Sequence, residues 1–261
     1  ATMPRDVADM AAEVLRPGYV SIDTVAEGEE ATPTQVEQTY AVCSQENITQ
    51  VLWRTLQREM ARDPEHYKII VFFTTARVTQ YYAELFSQAG LTVIEQHSRK
   101  AQDKRAASAH EFWTAQSGLF FSTDVSARGM DYPDVSVVIH FGAPSSLDRY
   151  VHRLGRTGRM GRSGRSIALL HDFETGFPET VASGLPLRRA ETETLGLGDE
   201  ALAAPPKVLG EPLHALLVGQ AYKAWLGYYH FFSAELGWDR DELVRRGNAF
   251  AATLGALGPG G

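Results

Sequence analysis

The sequence has one cysteine, no long apolar run and no overall positive charge, and each of these absences excludes a class of protein. Cys43 is the only cysteine among 261 residues, which excludes an internal disulfide framework and a cysteine-based zinc site. No apolar run approaches the roughly 18 residues that a membrane-spanning helix needs, so we expect no membrane partner. A formal net charge of −7 argues against nucleic-acid binding by the surface as a whole.

The chain does contain a core and a regular alternation of apolar strands with helices. Hydrophobic residues make up 44% of the chain, which is enough for a globular domain. Short apolar segments such as Val36–Cys43 and Lys68–Phe73 predict strands, and the stretches between such segments have helical periodicity. The sequence therefore predicts an α/β fold, with a parallel sheet that has helices on both faces, followed by a small helical extension.

The composition changes after about Leu187, and this change sets the predicted domain boundaries. Residues 35–186 carry the alternating strands and helices, and residues 1–34 precede them. Residues 187–212 are acidic and rich in proline, glycine and alanine, which is typical of a linker. Residues 213–257 predict a helical extension of two helices, and Asp239 and Glu242 have the spacing of a capping box at the second.

Positive charge is concentrated in one stretch, HRLGRTGRMGRSGR, from His152 to Arg165. Five arginines recur there at every third position, and from Gly155 the sequence repeats Gly-Arg-x four times. Residues 145–170 hold six arginines and one aspartate, a local net charge of +5. The stretch lies between two predicted strands, which favours an ordered loop that presents guanidinium groups to phosphate. A disordered arginine–glycine arm remains open, whereas four triplets are too few for a collagen helix.

Two neighbouring loops carry the same kinds of residue. STDVSARGMD (Ser122–Asp131) follows a predicted strand, and HSRKAQDKR (His97–Arg105) opens a predicted helix. Ligands of parallel sheets bind in loops at the carboxyl ends of the strands. We therefore expect these two loops and the arginine stretch to lie at one edge of the sheet and to face phosphate.

The order and spacing of these segments resemble a known family. TDVSARGMD followed by YVHRLGRTGR resembles motifs five and six of DEAD-box RNA helicases, IIVFFTTARV resembles motif four, and Gln102–Arg105 matches the Q-x-x-R element. The resemblance covers about residues 1–185. It implies that residues 35–186 are the second RecA-like domain of such an enzyme, and that residues 1–34 follow motif three and link the two domains.

The aromatic tail resembles a subgroup of that family. AYKAWLGYY, together with Asn248–Phe250, is similar to the helical C-terminal extension of RNA chaperones from fungal mitochondria and plants. Tyr222, Trp225 and Tyr229 share one helical face. The favoured interpretation is a core stripe, and the alternative is a platform on which bases stack.

The resemblance assigns roles at the nucleotide by position in the motifs. It implies that Arg156 and Arg159 are arginine fingers, which stabilise charge on the transferred phosphoryl group and are the catalytic residues of this chain. It also implies that Asp131 bonds the ribose of the nucleotide and that Gly129 lets the backbone approach it.

Two further sets of residues are implied to bind the first domain and RNA. The residues expected at the interdomain contact are Arg128, His152 and Arg153. The residues expected to contact RNA phosphates, without reading sequence, are Thr75, Arg77, Gln102, Arg105 and Thr123. Arg162 and Arg165 lie beyond the motif and are interpreted as solvated loop charges, whereas Trp53 and Trp113 are interpreted as helix core.

The sequence departs from the family pattern at three places. Ser98 follows His97 where the family has glycine, and Gly142 stands where the family has aspartate, two residues before Pro144. The chain also has no G-x-x-x-x-G-K-[ST] loop and no Asp-Glu-Ala-Asp motif, so ATP and Mg²⁺ should be bound mainly by a first domain. We expect no metal site in this chain, and we expect the chain alone to hydrolyse essentially no ATP.

The predicted function is that of the C-terminal domain of an ATP-dependent RNA helicase and RNA chaperone that locally separates short duplexes. The expected partners are single-stranded and short duplex RNA and the first helicase domain. The tail suggests a mitochondrial location, with the nucleolus or chloroplast as alternatives. Two other functions remain open, namely an ATPase-inactive RNA-binding component of a ribonucleoprotein or ribosome assembly intermediate, and a DNA helicase or translocase of the same superfamily.

Overall fold

A parallel sheet of seven strands forms the centre of the computed structural model. The structure describes residues 10, 13–16, 20, 35–126, 131–159, 161–191, 195 and 213–254. The chain divides into two units, Ala1–Glu30 and Ala31–Gly261, and the sheet belongs to the second. The strands are β1 (Val36–Cys43), β2 (Lys68–Phe73), β3 (Val93–Gln96), β4 (Gly118–Ser122), β5 (Val137–Phe141), β6 (Gly164–His171) and β7 (Leu187–Arg189). Their order across the sheet is β3-β4-β2-β5-β6-β1-β7, and every neighbouring pair is parallel.

Helices connect most of the strands, as parallel pairing requires. They are α1 (Ile48–Arg62), α2 (Ala76–Gln88), α3 (Gln102–Thr114) and α4 (Leu147–Leu154), and the extension adds α5 (Ala215–Phe231) and α6 (Arg240–Thr253). A short 3₁₀-helix spans Asp124–Ser126 and a π-helix spans Phe177–Val181. The α/β fold with a helical extension is therefore confirmed.

Local sequence explains where the helices begin. The side chain of Thr75 accepts a hydrogen bond from the Val78 amide (3.3 Å) and caps α2, and Ser146 caps α4 in the same way. Asp239 accepts from the Glu242 amide at 2.8 Å, so the predicted cap of α6 is present.

The central strands are buried along their whole length, which explains their continuous apolar sequences. Every residue of β2 and of β5 is buried. Even Lys68 is enclosed, because its ammonium donates to the Trp113 carbonyl (3.2 Å) and lies 5.1 Å from the centre of the Phe112 ring.

The extension packs on the domain through the predicted aromatic stripe. Trp225 and Tyr229 are each only 2% exposed, and the Trp225 ring stacks on Phe250 with 5.3 Å between ring centroids. The core interpretation is therefore confirmed for these two residues, which are not available to stack on bases. Helices α5 and α6 cross closely at Gly247, where a Cβ would lie 2.5 Å from a methyl group of Leu226.

Some local expectations are wrong. The sheet continues into β7, which lies in the predicted linker and pairs with β1. Trp53 is buried as expected, but Trp113 is 51% exposed at the end of α3. In the part of the chain that the structure describes, no helix combines the length and the apolar character that crossing a membrane demands.

Candidate functional site

The predicted site residues lie at two opposite edges of the sheet. The carboxyl edge is where the strands end, and the amino edge is where they begin. The arginine stretch lies at the amino edge, because Thr157 Oγ1 donates to the carbonyl of Val135 (2.5 Å), just before β5. The Gln35 side chain, just before β1, donates to the Gly158 carbonyl at 2.8 Å. The expectation that all three loops share one edge is therefore wrong.

The path of the chain explains this separation. Helix α4 begins after the carboxyl end of β5 and returns the chain to the amino end of β6. Whatever follows α4 must therefore lie at the amino edge. Strand β5 has five residues, so the two edges are about 16 Å apart.

At the amino edge, the structure brings together Arg156, Arg159 and Asp131. All three line an open cavity of about 690 Å³. Arg159 forms an ion pair with Asp131, and its Nε donates to the Gly155 carbonyl at 2.8 Å. Burial and the neighbouring charge of Arg159 lower the pKa of Arg156 to about 10, so the guanidinium stays charged at neutral pH.

Close approach explains two glycines of the Gly-Arg-x repeat. Gly158 has φ +65°, and a Cβ there would collide with the side chain of Val36. A Cβ on Gly164 would lie 2.7 Å from the Gly158 amide nitrogen and would crowd the Thr157 hydroxyl even more closely. The described residues of the repeat therefore form a compact turn and not a disordered arm.

The last two arginines of the stretch make ion pairs. Arg162 pairs with Asp134 and is 67% exposed, in agreement with a loop charge. Arg165 pairs with Glu59, whose side chain is only 1% exposed and also lies 3.4 Å from Arg62. The interpretation of Arg165 as a solvated charge is wrong, because it is the counterion of a buried glutamate.

The predicted RNA-binding residues lie at the carboxyl edge, where β3, β4 and β2 are neighbours. Thr75 caps α2 after β2, and an Arg77 Nη donates to the Gln80 side chain at 2.7 Å. Gln102 and Arg105, in the first turn of α3, are hydrogen-bonded to each other. Thr123 directly follows β4, and its carbonyl accepts from the Ser126 amide (3.2 Å).

Arg99 is a residue at this edge that the sequence analysis did not single out. Burial and the positive charge of Arg99 lower the pKa of Arg77. The signal for Arg99 was its position in HSRKAQDKR, three residues before the predicted site residue Gln102.

A second missed group is an ion-pair hub on Asp124. Arg149 approaches one carboxylate oxygen at 2.5 Å, and Arg153 approaches the other at 2.6 Å. Burial opposes the charge on Asp124, but the two arginines outweigh it and hold the pKa of Asp124 below its ordinary value.

The hub corrects one expectation about the interdomain residues. Arg153 is 1% exposed, and its guanidinium lies 5.3 Å from the Phe72 ring centre, so it binds within its own domain and does not reach out to another. His152 is half-buried near the end of α4. Arg128 and Gly129 lie outside the described residues.

The arrangement at the amino edge suits a nucleotide, whose phosphates match guanidinium groups and whose ribose hydroxyls match a carboxylate. Mg²⁺ prefers several oxygen ligands in octahedral geometry. Among the residues that can be described, no cluster of three or more His, Cys, Asp or Glu side chains could hold a metal ion. The guanidinium and carboxylate groups at this edge match the chemistry of a nucleotide.

Comparison with known sequences finds DEAD-box RNA helicases. The model of the helicase conserved C-terminal domain matches residues 51–161. DEAD-box ATP-dependent RNA helicase 26 of Oryza sativa subsp. japonica is 39% identical over 99% of this chain and 47% of its own length. ATP-dependent RNA helicase MSS116, mitochondrial, of Phaeosphaeria nodorum is 35% identical, again over 99% of this chain and 47% of its own length. The chain thus spans about half the length of these curated relatives.

Two solved structures share the fold. Mss116p bound to single-stranded RNA and AMP-PNP matches with a TM-score of 0.76 and 22% identity, over 97% of this chain and 50% of that one. Domain 2 of Mss116p bound to an RNA duplex matches with a TM-score of 0.67 and 22% identity, over 84% of this chain and 86% of that one. These likenesses establish that the sheet and its helices are RecA-like.

Proposed function

Because the chain belongs to the C-terminal domains of DEAD-box RNA helicases, we propose that it is the second RecA-like domain of an ATP-dependent RNA helicase. Nucleotide is bound at its amino edge and RNA at its carboxyl edge. The single observation that carries this proposal is the cavity at the amino edge, where Arg156, Arg159 and Asp131 are side by side. An RNA-binding scaffold without ATPase activity has no use for this grouping, and it is not favoured.

At the amino edge, the chain's own groups supply charge and position. Arg156 and Arg159 stabilise negative charge that develops on the transferred phosphoryl group, which ATP supplies when bound between this domain and the first. Asp131 accepts a ribose hydroxyl, and Gly129 allows the backbone to approach. Asp131 holds Arg159 in the described structure, so nucleotide binding exchanges this ion pair for contacts with the ligand. Arg128 and His152 face the first domain.

At the carboxyl edge, RNA is bound through its backbone. The residues proposed to contact phosphates are Thr75, Arg77, Gln102, Arg105 and Thr123. Guanidinium, hydroxyl and amide groups bind phosphate without distinguishing bases, so binding is independent of sequence. The whole enzyme separates short duplexes locally and acts as an RNA chaperone. A mitochondrial location is supported by the mitochondrial fungal relative MSS116, which matches 99% of this chain, including the extension.

The RNA edge can be tested with this chain by measuring binding of a fluorescent single-stranded RNA at several salt concentrations. We expect measurable binding whose logarithm falls linearly with the logarithm of salt concentration. Arg105→Ala should weaken binding and reduce the magnitude of the slope by about 0.7, the value for one lost phosphate contact on a single strand.

Arg189→Ala is the matched control for charge. Arg189 is exposed on β7, at the opposite end of the sheet from β3, so its loss should leave affinity and slope unchanged. An equal effect of the two substitutions would show that binding follows total charge and not the carboxyl edge. The absence of RNA binding at low salt would contradict the proposal that the carboxyl edge of this chain binds RNA.

A further inference from the structure

The geometry points to a set of hydrogen bonds, here called the clasp, through which the extension positions one corner of the carboxyl edge. This corner is where β2 and β5 end and where Thr75, proposed to contact RNA, follows β2. The clasp consists of Tyr228 and Tyr229 of α5, whose hydroxyls donate hydrogen bonds to Ala143 and Glu174. This inference rests on the proposed function and deepens it. The two tyrosines are positioning residues, since they act through the corner and not by touching RNA.

The clasp joins the extension to the ends of two central strands. The Tyr228 hydroxyl donates to the carbonyl of Ala143 (3.0 Å), two residues beyond β5. The Tyr229 hydroxyl donates to Glu174 Oε1 (2.7 Å), and Glu174 Oε2 accepts from the amide of His171 (2.9 Å), the last residue of β6. Consecutive residues of one helix thus fix the carboxyl ends of β5 and β6.

Glu174 and Tyr229 are both buried, at 5% and 2% exposure. A buried carboxylate is stable only when its oxygens are hydrogen-bonded, and Tyr229 supplies the donor for one of them. Burial and the charge of Glu174 raise the pKa of Tyr229 well above its ordinary value, so the phenol stays protonated and keeps donating. Removing the hydroxyl alone would leave Glu174 Oε1 without its tyrosine donor.

The same groups converge on Gly142, which has φ +84°. A Cβ at this position would lie 3.1 Å from the Thr74 methyl group, 3.5 Å from Glu174 Oε1 and 3.6 Å from the Tyr229 hydroxyl. Thr74 directly precedes Thr75, which caps α2 and is proposed to contact RNA. The clasp and the residue that precedes Thr75 therefore both lie close to Gly142.

This packing also accounts for glycine where the family has aspartate. An aspartate at 142 would adopt a backbone conformation that favours glycine, and it would bring a second carboxylate against Glu174. In this chain Glu174, held by the extension, provides the carboxylate at that corner.

Tyr229→Phe tests the clasp with little change in packing, because the ring can keep its contacts with Trp225 and Phe173. The probe is a fluorescent single-stranded RNA, bound to this chain without nucleotide. We expect affinity to fall about three- to tenfold, the range for one hydrogen bond. The salt slope should stay unchanged because no charge is lost. The amides of His171 and Val78 should exchange with solvent faster, since they report the clasp and the Thr75 cap.

Two variants separate positioning from general stability. Tyr222→Phe removes a hydroxyl from the same helix, where it donates to Asn248 (3.1 Å) away from the corner, and should change nothing. Gly247→Ala crowds Leu226 and loosens the α5–α6 crossing without touching the clasp. At a matched loss of Tm it should leave RNA affinity near that of the unaltered chain.

Equal RNA affinity of Tyr229→Phe and the unaltered chain would overturn the inference. So would an equal loss of affinity in Gly247→Ala at matched Tm. If the unaltered chain binds no RNA, the proposed function fails, and exchange still decides about the clasp. Faster exchange at His171 and Val78 in Tyr229→Phe then supports it, and unchanged exchange overturns it.

Discussion

Replacing Gly164 by alanine tests whether the compact turn of the arginine stretch holds the amino edge together. The new Cβ would lie 2.7 Å from the Gly158 amide nitrogen, which is backbone and cannot move without shifting the turn. It would also crowd the Thr157 hydroxyl, which donates to the Val135 carbonyl. Crowding of this kind costs about 1–3 kcal/mol. Replacing glycine by alanine also stabilises the folded state by about 0.4–1 kcal/mol, because it restricts the unfolded chain. We expect a net loss of about 1–2 kcal/mol in the free energy of unfolding.

Urea unfolding measures this loss as a lower midpoint with an unchanged m-value. Gly176→Ala is the matched control, because its backbone has φ −67° and ψ −20° and a Cβ there would meet nothing within 4 Å. We expect this control to be as stable as the unaltered chain or slightly more stable. If Gly164→Ala unfolds at the same urea concentration as Gly176→Ala, the turn is not as tightly packed as the geometry indicates and the reasoning is refuted.

Asp124→Asn should lower the free energy of unfolding, measured by urea unfolding, by about 3 kcal/mol, because it leaves the buried guanidinium of Arg153 without its counterion. A loss below about 1 kcal/mol, the value for a surface ion pair, would contradict a buried hub. The folded pKa of Asp124 is below its ordinary value of 3.8, so its contribution is complete above that pH and is lost as pH falls through the folded pKa. Acid titration of stability should therefore show a component below about pH 4 that Asp124→Asn lacks. Burial and the charge of Glu174 raise the pKa of Cys43 to about 12, so a thiol reagent at about pH 8 should modify it only in urea. Rapid modification of Cys43 in the native chain would show that its thiol is accessible to solvent.

The strands were predictable where burial on both faces leaves a continuous apolar run. Val36–Cys43 and Lys68–Phe73 have the predicted bounds. Strand β7 was not predictable, because its three residues lie in a stretch with the composition of a linker and become a strand only by pairing with residues near Tyr40. Local sequence carries no signal for a partner so far along the chain.

The site was predictable as a set of residue types but not as an arrangement. The motif identified Arg156, Arg159 and Asp131, and the fold brings them together. The mistaken single edge was avoidable, because in a parallel sheet the segment between a crossover helix and the next strand lies at the amino edge. Arg165 was misinterpreted for a different reason, since its partner Glu59 is 106 residues away.

Helix α4 connects the two edges and can therefore couple ligand binding at one edge to ligand binding at the other. Its eight residues form a rod of about 12 Å, with its cap at the carboxyl edge and the arginine turn at its far end. Asp124, next to Thr123, is tied to the same rod through Arg149 and Arg153. A ligand at one edge that prefers one orientation of α4 changes affinity at the other. If nucleotide and RNA bind at these two edges as proposed, linkage requires that each changes the affinity of the chain for the other by the same factor.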